Sequence, residues 1–194
     1  PTYNYACIHL NTRPDTTIRT AFFNNKSVRQ AFDKIIPYDE IIKQVYGADI
    51  SSNQRMATCI IPCKPECDTT LKPIETDPAS AAKLLDEAGW RDTDKDGIRD
   101  RNRHKMEVEM LYSSNQALWA DIATLIVDAF AKTGITIRAV AMESKTLSDK
   151  GKSHDFDMIL GSIGDNPEPL FYDQMWSTNA WVNHFNNITG FGDS

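Results

Sequence analysis

From Met106 the chain alternates apolar and polar residues, with Met106, Val108 and Met110 set against Glu107 and Glu109, the period of a half-buried strand. A long helical pattern follows. Leu118, Ile122, Leu125, Ile126, Ala129 and Phe130 form its apolar face, Ser113 or Ser114 is placed to cap its start, and Gly134 stands beyond its end. Ile135 to Val140 then reads as another strand. Strand, helix and strand within about 35 residues make a βαβ unit, which requires parallel strands and a right-handed crossover. No other stretch limits the fold so strongly, and it predicts an α/β architecture. A short helix near 143–152 and an apolar strand from Phe156 to Leu160 extend the unit.

Upstream, Tyr3 to Leu10 reads as a strand. Val28, Phe32, Ile35 and Ile36 fall at helical spacing, and Ile41, Ile42, Val45 and Tyr46 repeat that spacing after Pro37, so two short helices are expected. Asp77-Pro78 is an N-cap followed by proline at the first helical position. The helix it opens presents Ala81, Leu84, Leu85 and Ala88 and stops at Gly89. Between these helices, residues 47–76 hold Gly47, Pro62, Pro65, Pro73 and three of the four cysteines, and they read as a long loop. Cys59, Cys63 and Cys67 cannot line one helix face across two prolines. A zinc site lacks its second pair of ligands, which leaves disulfides, including ones to Cys7, or free thiols.

With 194 residues, 41% of them hydrophobic, the chain can bury a core as one domain or as one lobe of something larger. A net charge of −6, with no stripe of Lys and Arg, argues against nucleic acid as a partner. No run approaches the roughly 20 apolar residues that span a bilayer. The start at Pro1-Thr2, directly before a strand-like run, implies a processed or excised piece.

Ligands of open α/β sheets collect beyond the carboxyl ends of the parallel strands. The segment after Leu160 is such an edge. Gly161 and Gly164 allow close approach of backbone, Ser162 lies between them, Asp165 and Asn166 supply an anion and an amide, and Pro167 and Pro169 stiffen the exit. Asp165 could pair with a ligand ammonium group, or Asp165-Asn166-Pro167 could simply close a turn. Trp176, further along, is a candidate ligand contact, whereas Trp119 sits within the long helical pattern and reads as packing.

Residues 91–105 form an acidic loop. Asp92, Asp94 and Asp96 take positions 1, 3 and 5 of a calcium loop, Gly97 takes position 6, the Ile98 carbonyl position 7 and Asp100 position 9. Arg103 stands where the bidentate glutamate belongs, so calcium competes here with a plain solvated turn. No catalytic residue is assigned. His9, His104, His154 and His184 lack motifs around them, His154-Asp155 beside Asp157 reads as a solvated approach to a strand, and no phosphate-binding glycine loop is present.

Several segments together resemble the family 5 extracellular solute-binding proteins of ABC importers, the peptide, dipeptide, oligopeptide and nickel-binding branch. Asn11-Thr12-Arg13, Val28-Arg29-Gln30-Ala31-Phe32, Glu40-Ile41-Ile42 and Val45-Tyr46-Gly47 match the family's "N-T", "V-R-Q-A" and "I-I" stretches in order. Asp77-Pro78 through Leu84-Leu85-Asp86-Glu87-Ala88-Gly89-Trp90 matches its "D-P-x-x-A-x-x-L-L-x-E-A-G-W" helix, the most specific of these signals, and Phe156-Asp157 its "D-F-D" strand. Pro37, in place of an acidic cap, and the cysteine-rich loop depart from the pattern. The resemblance implies a periplasmic binding protein-like lobe (type II, domain II), spanning 1–194 and cut from a larger two-lobed protein. It also implies that Asp165 receives the α-ammonium group of a bound peptide, with a nickel complex or a sugar as other solutes. It further implies an ABC-transporter permease as membrane partner, no required cofactor, and a periplasmic or extracellular location, a lipid anchor on the full-length protein being one form of it. A calcium-stabilised extracellular interaction module and a small α/β hydrolase are the competing expectations.

Overall fold

The computed structural model describes residues 4–12, 21–47, 55–58, 60, 65, 67–164 and 189. In chain order the elements are β1 (Asn4–Leu10), α1 (Ala21–Asn24), α2 (Lys26–Ile35), α3 (Tyr38–Val45), α4 (Pro78–Glu87), β2 (Asp100–Arg101), β3 (His104–Lys105), β4 (Glu107–Ser113), α5 (Ala117–Ala131), β5 (Thr136–Met142), α6 (Ser144–Ser153) and β6 (Met158–Gly164). Four strands form one sheet in the order β1-β6-β4-β5. β4 runs parallel to both β5 and β6, and β1 closes the sheet antiparallel to β6.

The βαβ unit is present, with β4 at its centre. The expected alternation is present, with Met106, Val108 and Met110 buried, Glu107 exposed and Glu109 half-buried, and from Leu111 onward the strand is covered on its second face as well. Met110 and Val108 join Met158, Leu160 and the α5 residues Ile122, Ile126 and Phe130 in the main core, while Leu111 packs with Ile159, Phe156 and the α6 residue Leu147 on the other face. The crossovers explain this, because α5 leaves β4 over one face and α6 returns to β6 over the other. The expected serine cap of α5 is corrected too. Its N-cap is Gln116, without a side-chain cap bond. Ser113 is still in the strand opposite Met142, and the Ser114 amide donates to the Met142 carbonyl at 2.8 Å. The parallel ladder claims both serines before the helix can begin.

The helical layer is held by edge-on aromatics: Phe32 meets Phe23 at 5.1 Å and Phe130 at 4.9 Å, and Phe22 meets Trp90 at 4.7 Å. α2 and α3 fall where the spacing placed them. α4 is capped by Asp77, whose carboxylate accepts from the Ser80 amide at 2.9 Å. No helix or strand occurs among the described residues of 47–76.

Arg99 ties the lower end of the sheet together. Its guanidinium donates to Asp86 at 2.5 Å and to the Trp90 and Thr133 carbonyls at 2.8 Å, and its amide donates to the Gly134 carbonyl at 2.7 Å. Gly134 has φ +78, and a Cβ there would lie 3.1 Å from the Gly97 carbonyl and 3.3 Å from Arg99. Gly47 has φ +84 with nothing near. Gly134→Ala should therefore lose roughly 2 to 3 kcal/mol of unfolding free energy against about 1 kcal/mol for Gly47→Ala, the difference reporting the crowded contact rather than the backbone. Parallel urea titrations check the pair, and equal losses would show that the Gly134 contact yields freely.

Candidate functional site

β6 was expected to end at Leu160, with a loop carrying Gly161 to Gly164. It continues instead to Gly164. The reason is β1, whose register runs Asn4 to Gly164, Tyr5 to Ile163, Ala6 to Ser162 and Cys7 to Gly161, so backbone partners exist for every residue of the extension. On its other side β6 pairs with β4 only from Met158 to Leu160. Gly161 to Gly164 thus form a strand segment bonded along one edge, and no described strand occupies the other.

A groove of about 470 Å³ opens beside that edge, at the carboxyl ends of the parallel strands. One wall comes from the β4–α5 turn, with Ser113, Asn115, Gln116 and Trp119. A second comes from α6, with Ser144, Leu147, Ser148, Gly151 and Lys152. Ile159 to Ser162 form the floor and His9 of β1 closes one side. The starts of the two helices are locked to each other. Ser113 Oγ and Ser144 Oγ lie 2.8 Å apart, and Asn115 Nδ2 donates to Ser144 Oγ at 3.0 Å. Neither helix has a side-chain cap, so amide donors of their first turns remain turned toward the groove end of the sheet. Lys152 is the one side chain of permanent charge lining it among the described residues.

Gly161 and Ser162 thus lie in the groove, and Gly164 lies on the same open edge. Asp165, Asn166 and Trp176 are outside the described residues. Trp119 is packed, as expected, yet one side of it borders the groove. His9, Asn115, Gln116, Ser144, Ser148 and Lys152 escaped the sequence reading. The carboxyl-edge rule, applied after every parallel strand and not only after Leu160, would have found the serines and Asn115.

His9 is half-buried, and burial pushes its imidazole down to about 4. Its Nε2 lies 3.3 Å from Cys7 Sγ, whose thiol burial pushes up to about 12. Both groups are therefore neutral near pH 7, the opposite of the thiolate and imidazolium pair that a cysteine nucleophile needs. His154 has a different role. It caps α6 with φ +57, its carbonyl accepts from Asn11 Nδ2 at 2.9 Å, and Lys150 takes Asp155. Asp157 is buried, and its carboxylate accepts from the Glu109 amide at 3.0 Å, which extends the β4–β6 ladder by one rung. Asn11, with a second bond to the Phe156 carbonyl, fastens β1 to the entry of β6.

The acidic loop stands at the amino end of β4, so the length of that strand, roughly 20 Å, separates it from the groove. Carboxylate oxygens of Asp92, Asp94 and Asp100 gather within 4.8 Å of one another. Asp96 turns away to pair with Lys105, which also reaches Asp94 at 3.6 Å. The loop was not expected to contain strands, but β2 and β3 form a small hairpin in it that pairs Asp100 with Lys105 and holds Asp100 8% exposed. Asp100 accepts from the amide and hydroxyl of Thr93 at 2.9 and 2.8 Å, and Asp92 accepts from the Gly97 amide at 3.0 Å.

A doubly covered sheet with a groove at its carboxyl edge is the form of a ligand-holding lobe of the periplasmic binding protein kind. The sequence profile described as "Bacterial extracellular solute-binding proteins, family 5 Middle" matches residues 1–183, and the chain belongs to that family. It is 27% identical over 151 residues to the oligopeptide-binding protein AppA of Bacillus subtilis, covering 74% of this chain and 27% of the relative. It is 26% identical over 138 residues to the nickel-binding periplasmic protein of Escherichia coli, covering 71% and 26%. The chain thus spans about a quarter of the length of these relatives. The solved structure of B. subtilis AppA with a nonapeptide superposes with a TM-score of 0.82 at 20% identity, covering 100% of this chain and 37% of that one. The oligopeptide-binding protein of Thermus thermophilus with a pentapeptide gives 0.83 at 19%, covering 98% and 34%. At these identities the superpositions establish the fold.

The His9 shift has a definite sign. Unfolded, the ring titrates near 6.5; folded, near 4. Between those values the unfolded chain binds a proton that the folded chain refuses, so stability falls as pH drops from about 6.5 toward 4 and is level above. At pH 5 the loss from this group is roughly 1 to 2 kcal/mol. Urea unfolding of wild type and His9→Gln at pH 7.5 and pH 5 measures it, with the variant losing less on acidification. Equal losses would mean that the ring titrates normally.

Proposed function

We propose that this chain is a ligand-holding lobe of the solute receptor of an ABC importer, that its solute is a peptide, and that it binds reversibly without turnover. The observation that carries this is the open edge of β6 from Gly161 to Gly164 beside a groove at the carboxyl end of the sheet. An extended peptide satisfies such an edge with its own backbone amides and carbonyls, while groove walls receive side chains. Family membership supports the reading, as do the peptides named with AppA and the Thermus protein; the nickel-binding relative keeps metal complexes among the candidate solutes. In this scheme Asp165, the next residue in sequence after Gly164, receives the ligand's α-ammonium group, and Asn166 and Trp176 are proposed as further contacts. The intact receptor closes a second lobe over the groove and hands the solute to a membrane permease, outside the cytoplasmic membrane and with a lipid anchor where the full-length protein carries one.

Isothermal titration with alanine tri- to pentapeptides tests this. An added Cβ on Gly161 meets nothing within 4 Å, so Gly161→Phe should leave the melting temperature of the free protein nearly unchanged while projecting a ring into the groove. Peptide affinity should fall at least tenfold in Gly161→Phe and again in Asp165→Ala, where a charge-assisted bond worth about 1.5 to 3 kcal/mol is lost. Unaltered affinity in both would place the solute elsewhere.

The acidic loop supports a separate proposal, that calcium staples it structurally. The gathered oxygens of Asp92, Asp94 and Asp100 favour it, and the Asp96 carboxylate with the Ile98 carbonyl would complete the set. Lys105 already neutralises two of these acids, so calcium must displace it. Calcium should therefore raise the melting temperature more in Lys105→Gln than in wild type, and not at all in Asp94→Ala. A flat calcium titration in Lys105→Gln ends the proposal.

A further inference from the structure

Cys7 and His9 stand two residues apart on one face of β1, directly opposite Gly161 and Ile159 of the groove floor. Only His9 of the two borders the groove. Its Nε2 is occupied by Cys7 Sγ at 3.3 Å. Nδ1 has no hydrogen-bond partner among the described residues, and it is not sealed from solvent. A neutral imidazole carries one donor nitrogen and one acceptor nitrogen. Which is which follows from the partner. A thiol sulfur is a poor acceptor and an imidazole nitrogen a good one, so the stronger sense of the contact is Sγ–H donating to Nε2. Burial holds the thiol protonated and the ring neutral, which keeps that donor and that acceptor in place near pH 7. The ring proton is then forced onto Nδ1, the nitrogen without a hydrogen-bond partner among the described residues, on a side chain that lines the groove.

We propose that His9 contacts the bound solute by donating its Nδ1–H to an acceptor oxygen, a carbonyl or a carboxylate, and that Cys7 is the positioning residue that fixes this tautomer. The proposal rests on the groove being the solute site. It adds a named contact from β1, the strand that runs antiparallel to the open edge. It also accounts for a cysteine with no disulfide partner among the described residues. Gly161, opposite Cys7, leaves the space in which a ligand oxygen can come up to the ring.

The tautomer is read without any ligand, from long-range proton–nitrogen correlations of the His9 ring in the ¹⁵N-labelled protein at pH 7. Wild type should show a single Nδ1–H form, and Cys7→Ala a mixture in which Nε2–H predominates, as in free imidazole side chains. An Nε2–H ring in wild type, or an unchanged ring in Cys7→Ala, overturns the positioning role. The contact is tested with the alanine pentapeptide. His9→Phe should weaken binding about tenfold, the value of one hydrogen bond to a desolvated acceptor, and His9→Asn, whose amide N–H sits near the place of Nδ1–H, should recover most of it. Full affinity in His9→Phe overturns the contact while leaving the groove assignment intact. A pentapeptide that fails to bind wild type at all overturns the groove assignment, and the contact with it, whatever the tautomer.

Discussion

The site depends on one inequality of length: β6 outruns β4. A strand that ended level with its parallel neighbour would leave only helix starts and turns at the carboxyl edge. Here β1 supplies antiparallel partners through Gly164, so the extension costs no backbone hydrogen bonds on that side, and no strand among the described residues takes up the other. The anchoring lies at the opposite end of the strand. Asn11 fastens β1 to the entry of β6, and the Asp157 carboxylate adds a rung to β4 before the main ladder begins. These buried polar groups fix the register of three strands. A one-residue slip there would turn Gly161 and Ile159 away from the groove.

The two ends of the sheet divide the chemistry between them. At the amino end, Arg99 gathers carbonyls and a carboxylate from three segments, Gly134 admits the acidic loop to close contact, and Lys105 sits among its acids. Most polar groups there are satisfied within the chain, as a stabilising device requires. At the carboxyl end, two helix starts without side-chain caps, a β6 edge with no described strand beside it and a His9 ring nitrogen without a partner among the described residues gather around the groove. Groups left unsatisfied at a folded surface are cheap in water and become useful only when a ligand arrives.

The elements were largely legible because each carried its own local signal. The period of 3.6 marked α2 and α5, the Asp77-Pro78 cap marked the first residue of α4 and Gly89 its end to within two residues, and the apolar run from Phe156 to Leu160 marked the start of β6 to within two. The errors came from tertiary partners that local patterns do not encode. Ser113 and Ser114 have the chemistry of helix caps, yet a ladder to Met142 held them in the strand. Gly161 to Gly164 have the composition of a loop, and β1, about 150 residues away in sequence, made them a strand. Asp92 to Asp100 matched the ligand positions of a metal template, but Thr93, at a position the template leaves open, and Lys105, beyond the loop, bind those same carboxylates. His9 and Lys152 were missed for the same reason, since only the assembled sheet brings a residue of β1 and one of α6 to the same groove.

A lobe of this kind binds under a constraint set by geometry. An open groove contacts a peptide on one side, so each polar group of the ligand keeps part of its hydration and each new bond is worth little more than the water it replaces. Burying the ligand requires a second surface, and the relatives, of which this chain matches only about a quarter, have the residues to build one. Closure over the groove would lower the local dielectric around whatever charge pair forms and lengthen the life of every bond at the β6 edge. In the proposed function the open edge would therefore set direction and register for an extended ligand, while affinity would arise mainly when that edge is covered. Neutral donors such as the His9 ring suit this division, because they can be desolvated by the closing surface without the penalty that a buried, unpaired charge would impose.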